Sequence, residues 1–137
     1  MLVTFDVPVR PDAAELAVDA AVESGQPLLV INVVEMPIRP MTASLGIDVV
    51  VVEDVDDSLR APSELARDLA VVVERIRLVS PRPVKALLEL AAERFPGLLV
   101  VGPDRTRIGR RRLARIERRI RQDAPCLVWT CGEDASG

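Results

Sequence analysis

The sequence predicts an α/β fold: a single-domain, doubly wound, five-stranded parallel sheet with helices on both faces, Rossmann-like in architecture. Three observations predict it. The chain has 137 residues, one domain at roughly 100 to 150 residues each. Short continuous apolar runs, Leu28–Val34 and Leu98–Gly102 among them, have the composition of strands buried on both faces of a parallel sheet. Between such runs lie segments whose apolar residues recur at helical spacing, and helical crossovers make successive strands parallel.

Taken in order, Leu2–Asp6 reads as a first strand ending in a carboxylate. Pro11 suits a first helical turn, and Ala14, Leu16, Ala17, Ala20 and Ala21 line one face of a helix through about Ser24. Gly25 supplies a left-handed stop and Pro27 prevents continuation. Leu28–Val34 is the second strand. Pro37 and Pro40 break the segment after it, and Ile47–Val52 reads as a short edge strand or an ordered loop. The acidic run Glu53–Asp57 has no EF-hand spacing, so it reads as a solvated turn rather than a metal cluster.

Ser63 caps an expected helix through about Val71, with Leu65, Ala66, Leu69 and Ala70 inward. Glu74–Val79 alternates with period two and reads as a strand. Val84, Leu87, Leu88, Ala91 and Ala92 mark the next helix, closed by Phe95-Pro96-Gly97. After the Leu98–Gly102 strand, Ile108–Gln122 is helical with Leu113, Ile116 and Ile120 on one stripe, and Cys126–Cys131 is the last strand. The expected domain is 1–132, with 133–137 a short tail.

Composition excludes several chemistries. There is no histidine, so His-based acid–base catalysis, Ser-His-Asp and Cys-His nucleophiles and His metal sites are ruled out. Aromatics amount to Phe5, Phe95 and Trp129, too few for a base-stacking platform. Two cysteines make neither a disulfide framework nor a zinc spacing, and Cys126 reads as a small buried hydrophobe. No apolar run approaches the roughly 20 residues that span a bilayer. The start of the chain has no basic region or cleavage pattern, so a reduced, cytoplasmic setting is expected.

The net charge of −3 conceals an asymmetry. Residues 1–104 carry 9 basic and 17 acidic side chains, whereas residues 105–121 carry nine Arg and one Glu. A basic block on an acidic body suggests a contact with the chain's own acidic surface or a local anion site. The first reading is a solvated helix face paired with that acidic body. The second puts Arg105, Arg107, Arg110 and Arg111 on phosphate as guanidinium forks. Nucleic acid is disfavoured by the acidic remainder and the missing aromatics.

Doubly wound sheets bind ligands at the carboxyl ends of their strands. That selects Asp6, Val33 to Met36, and Gly102 onward, where the turn 102–109 also delivers a helix N-terminus.

Those residues resemble the universal stress protein family over nearly the whole chain. The resemblance rests on strand-end Asp6, the Leu28–Val34 and Leu98–Gly102 strands, and the closing segment Arg119 through Ala124-Pro125-Cys126-Leu127-Val128. It implies a homodimer formed by pairing last strands, here Cys126, Leu127, Val128, Trp129, Thr130 and Cys131. It also implies ATP or AMP as a possible ligand, held through Gly-x-x-Gly, nine residues, then Gly-Ser or Gly-Thr, with Asp6 and the Val33 backbone facing the base.

The chain departs from that motif. Gly102 is present, but Arg105 stands at the second glycine. The last pair falls on Arg115 and Ile116 counting forward, or on Ala114 and Arg115 counting back from Ala124-Pro125-Cys126. After Asp6 the usual Gly-Ser pair is Val7-Pro8, and Pro8 removes a backbone donor. Asp6 is thus either an adenosine partner or the cap of a turn, and Gly102 reads as a tight-turn residue rather than a phosphate cradle. The expectation is a non-enzymatic, homodimeric regulatory or binding module with lost or altered nucleotide binding. The alternative is an adenine-nucleotide binder in which Arg105, Arg107, Arg110 and Arg115 replace the glycine loop.

Overall fold

The computed structural model describes residues 1–36, 50–53 and 60–130. Its elements are β1 (Leu2–Thr4), α1 (Pro11–Ser24), β2 (Leu28–Glu35), β3 (Val50–Glu53), α2 (Arg60–Asp68), β4 (Val73–Ser80), α3 (Pro83–Arg94), β5 (Leu98–Val101), α4 (Arg110–Asp123) and β6 (Leu127–Thr130). The strands make one sheet in the order β3-β4-β2-β1-β5-β6. Five of them are mutually parallel, as expected. β3 adds a sixth, antiparallel strand outside β4, with Val50 opposite Val79 and Glu53 opposite Ile76. Of the two readings of Ile47–Val52, the edge strand holds for Val50–Val52. Residues 47–49, the acidic run beyond Glu53, Cys131 and the 133–137 tail lie outside the described residues.

Alternation along the strands sorts the core into two layers. Val3, Phe5, Ile31, Val33, Ile76, Leu78, Leu99 and Val101 face α3 and α4, meeting Leu87, Ala91, Leu113, Ile116 and Ile120. Leu2, Leu28, Val30 and Val100 face α1 and α2, meeting Ala13, Ala14, Ala17, Val18 and Ala66. The α1 layer is built almost wholly of alanine, so that helix rides close to the sheet. Its stop is the expected one: Gly25 sits at φ 69, and its N–H donates to the Ala21 and Val22 carbonyls.

Several boundaries differ from expectation. α2 begins at Arg60, ahead of Ser63, because Pro62 falls in the first turn, where a missing N–H costs no intrahelical bond. The helix ends at Asp68 and Ala70 takes φ 61. Leu69 and Ala70 are consequently exposed rather than inward, and Val71 donates its N–H back to the Ala66 carbonyl as the chain turns into β4. In α3 the buried face is Ala86, Leu87 and Ala91, and Ala92 is exposed. The last strand starts at Leu127, one residue after Cys126.

Candidate functional site

Strand order reverses at β1: β2 and β4 lie to one side of it, β5 and β6 to the other. The switch point therefore falls between the carboxyl ends of β1 and β5, the place where doubly wound sheets carry ligands. Here the two loops after those strands are stitched together by backbone. Val9 bridges Pro103, the Asp104 N–H donates to the Pro8 carbonyl at 2.8 Å, and the Arg10 N–H donates to the Gly102 carbonyl at 2.8 Å. Pro8 thus serves as an acceptor at a place where its ring denies the chain a donor.

In the turn 102–109 the amides of Gly102, Asp104, Thr106 and Arg107 are already engaged. Gly102 N–H goes to the Val3 carbonyl at 2.9 Å, and Arg107 N–H goes to the Asp104 carbonyl at 3.0 Å. The Asp104 carboxylate accepts from the Thr106 N–H at 3.0 Å and from the Thr106 hydroxyl at 2.7 Å. Arg107 Nε stands 3.7 Å from the same carboxylate. These Thr106 hydrogen bonds, reinforced by the neighbouring guanidinium, hold the Asp104 carboxyl below the usual aspartate range. A loop that cradles phosphate offers free N–H groups; in this one a resident carboxylate takes that part.

Gly102 has a reason other than a turn or a cradle. A Cβ built on it would stand 2.3 Å from the Cβ of Ala13. The glycine lets the start of α1 close against the end of β5, so its need is close approach, not a left-handed φ.

Asp6 is exposed, takes φ 61, and donates its backbone N–H to Oδ1 of buried Asn32 at 2.7 Å. Asn32, a residue that sequence reasoning missed, fixes the end of β1 against β2. Its signal was a lone polar residue in the middle of an apolar strand. Val33 is fully buried and ladder-paired opposite Leu78, two residues before β2 ends.

A groove of about 900 Å³ runs beside the turn and along α4. It brings together Arg10, Arg105, Arg110, Arg118 and Arg121, with Asp104 and Glu117 the acidic members of its lining. Arg105 and Arg110 were expected at a site; Arg10, Arg118 and Arg121 were not. Arg118 and Arg121 follow Arg110 on one stripe of the helix, a spacing visible in the sequence. Arg10 is brought to the groove by the stitched loops, which only the fold reveals. Asp6, Val33, Gly102, Arg107 and Arg115 do not line it.

Within the block 105–121, Arg107 stands beside Asp104, and Arg119 beside Asp123 at 4.0 Å. Arg121 donates to the Thr130 hydroxyl on β6. β6 is a sheet edge; Leu127 is 75% exposed, and Val128, Trp129 and Thr130 are half-buried. Cys126, ahead of the strand, is half-buried against the core, and burial pushes its thiol pKa up.

Fold and switch point together define a doubly wound α/β domain whose ligand end is crossed by an arginine-rich turn and helix. The chain belongs to the universal stress protein family, whose model matches residues 1–131. No curated protein matches it. Among solved structures it is similar to a universal stress protein from Archaeoglobus fulgidus, at 17% identity and a TM-score of 0.63 over 94% of this chain and 90% of that one. It is similar also to a universal stress protein in complex with cAMP, at 23% identity and a TM-score of 0.53 over 95% and 94%. A family member from Burkholderia pseudomallei gives 17% identity and a TM-score of 0.50 over 94% and 93%. At these identities the likeness is one of fold. Among the described residues no helix is long and apolar enough to cross a membrane.

Proposed function

We propose that this chain is a cytoplasmic, homodimeric regulatory or binding module that works without catalysis, and that it has lost the loop-amide mode of nucleotide binding. The observation that carries the reading is the Asp104 carboxylate on the Thr106 N–H and hydroxyl. A phosphate entering there would have to displace a like-charged group from the donors it needs. Support for a non-catalytic role is the absence of histidine together with a turn whose carboxylate is engaged rather than poised as a base. Support for the homodimer is the open edge of β6, a short row of backbone donors and acceptors suited to pairing with a second copy.

The test is thermal unfolding of the protein alone and with ATP, AMP or cAMP plus magnesium, with sulfate and phosphate as controls. The expected outcome is no nucleotide-specific shift. A ligand at 100 times its Kd adds about 2.7 kcal/mol, so a real site is readily seen, and such a shift would overturn the loss of binding. For the dimer, light scattering should give twice the chain mass of 15.0 kDa, and Val128→Pro should lower it to one chain.

A second reading keeps the nucleotide and moves its phosphates to the arginine groove. What favours it is the five-guanidinium lining and a relative of the same fold in complex with cAMP. It requires that any nucleotide shift disappear in Arg105→Glu/Arg110→Glu.

A further inference from the structure

Helices α1 and α4 are of equal length, 14 residues each, and opposite in charge. α1 carries Asp12, Glu15, Asp19 and Glu23 and no basic residue; α4 carries seven Arg against Glu117 and Asp123. On α1, Glu15, Asp19 and Glu23 recur every four residues along the exposed side. On α4, Arg111, Arg115 and Arg119 recur every four residues along its exposed side. Each line is about 12 Å long at 1.5 Å rise per residue.

The two lines cannot meet within one chain. α1 packs on one face of the sheet, against Leu2, Leu28 and Val30. α4 packs on the other, against Val3, Ile31 and Leu99. Among the described residues Glu15, Asp19, Glu23, Arg111 and Arg115 make no ion pair, and Arg119 reaches only Asp123 at 4.0 Å. Within each helix, like charges at four-residue spacing repel one another. An opposite line of the same pitch relieves that repulsion in both helices at once.

We propose that the occupant of each line is a second copy of this chain: the arginine line of one molecule docks on the acidic line of the next. The contact joins two different patches on opposite faces of the domain, so it is head-to-tail and open-ended rather than self-complementary. It is separate from pairing through β6 and holds whether or not that pairing forms. Formed by exposed charges, it is weak and salt-sensitive.

The experiment is sedimentation velocity across a concentration series, at about 20 mM salt and at about 500 mM, where exposed pairs are screened. At low salt the wild type should gain more mass with concentration than it does at high salt, where only a β6 dimer is left. Glu15→Gln/Asp19→Asn/Glu23→Gln should lose that gain, and so should Arg111→Gln/Arg115→Gln/Arg119→Gln. A mixture of the two variants should regain the low-salt contact, though not the full wild-type growth, because each retains only the line the other lacks. Circular dichroism checks that both fold, which their exposed positions favour. No salt-sensitive association in the wild type, salt-sensitive association that persists in either variant alone, or a mixture that gains nothing over its separate components would each overturn the proposal. A β6 dimer is unaffected by either triple substitution, so its failure and the failure of this contact are read separately.

Discussion

Gly102 lies against Ala13 so closely that a Cβ on the glycine would stand 2.3 Å from the alanine's own. The neighbour is the first turn of α1 rather than a flexible side-chain tip, and it cannot swing aside. The same glycine is held on both sides by backbone, donating to Val3 and accepting from Arg10. Gly102→Ala should therefore destabilise the domain by roughly 1–3 kcal/mol, the range for overfilling a tight contact. Ala13→Gly in the same molecule should return part of that loss, less about 1 kcal/mol for glycine in a helix. Chemical denaturation of the two single variants and the double variant closes the cycle. Additive losses would show that the two positions are not coupled.

Phe95 presents the opposite case, a large residue where glycine belongs. It ends α3 at φ 50, with its N–H on the Ala91 carbonyl, and its side chain is 80% exposed. The left-handed conformation costs a non-glycine residue free energy, and little burial offsets it. Phe95→Gly should raise stability by roughly 0.5–1 kcal/mol, after allowing for the greater freedom of glycine in the unfolded chain. A lower midpoint would mean that the exposed ring has a partner worth more than the strain.

The strands and helices were legible because their signals are local. Gly25 stops α1 where its position said it would, and the Leu113–Ile116–Ile120 stripe meets the core. Boundaries failed where a local rule had two readings: Ser63 looked like a cap, but Pro62 is equally at home inside a first turn, so α2 starts three residues earlier. The site was legible only in part. Arg105 and Arg110 stand where the turn after β5 delivers them. Arg10 joins the same groove from the loop after β1, through backbone contacts with no sequence signature. The closing of the turn by Asp104 was hidden behind the louder signal of the lost glycines, although Asp104-Arg105-Thr106 is equally a short turn in which Asp caps the amide two residues on.

That turn has a consequence for pH. The Asp104 carboxyl is held low by its Thr106 hydrogen bonds, and Glu74 by the hydrogen bond from Arg94, at 2.9 Å across the gap between β4 and α3. Both groups bind protons less readily folded than unfolded. Their stabilising effect is complete above the unfolded carboxyl pKa and is lost as pH falls through the lower folded values. Glu74→Gln should cost no more than about 1 kcal/mol near neutral pH, since both partners are substantially exposed and screened. Its difference from wild type should shrink as the solution is acidified into that range. A difference that stays constant down the acid limb would assign the effect to shape rather than charge.

Asp104→Ala separates the turn's structural part from its exclusion of anions. The substitution releases the Thr106 N–H and hydroxyl and removes a negative charge from the mouth of a groove lined by five arginines. If the carboxylate is what bars phosphate from these donors, the variant should bind sulfate and phosphate measurably tighter than wild type in calorimetric titration. The gain should fade with added salt, as charge-driven binding does. Asp104→Asn is the discriminating partner, since its amide oxygen still accepts from Thr106 while the charge is gone. Tighter binding in the Ala variant alone points to the freed donors; equal gains in both point to the charge. No gain in either would overturn the view that Asp104 stands in for the anion.

Cys126 supplies the last prediction. Its thiol is half-buried against the core beside β6, and burial raises its pKa. A raised pKa leaves less thiolate at neutral pH, and thiolate is the reactive form. Alkylation of Cys126 should therefore run slower than that of an unhindered cysteine, with its rate rising at higher pH than for the free amino acid. Peptide-resolved mass spectrometry is needed, because Cys131 lies five residues away in sequence and must be scored separately. Mild denaturant should abolish the protection of Cys126 by exposing the strand it precedes. Rapid labelling in the native protein, with a pH profile at or below that of free cysteine, would show an activated thiol, and the non-catalytic reading of this domain would have to be reopened.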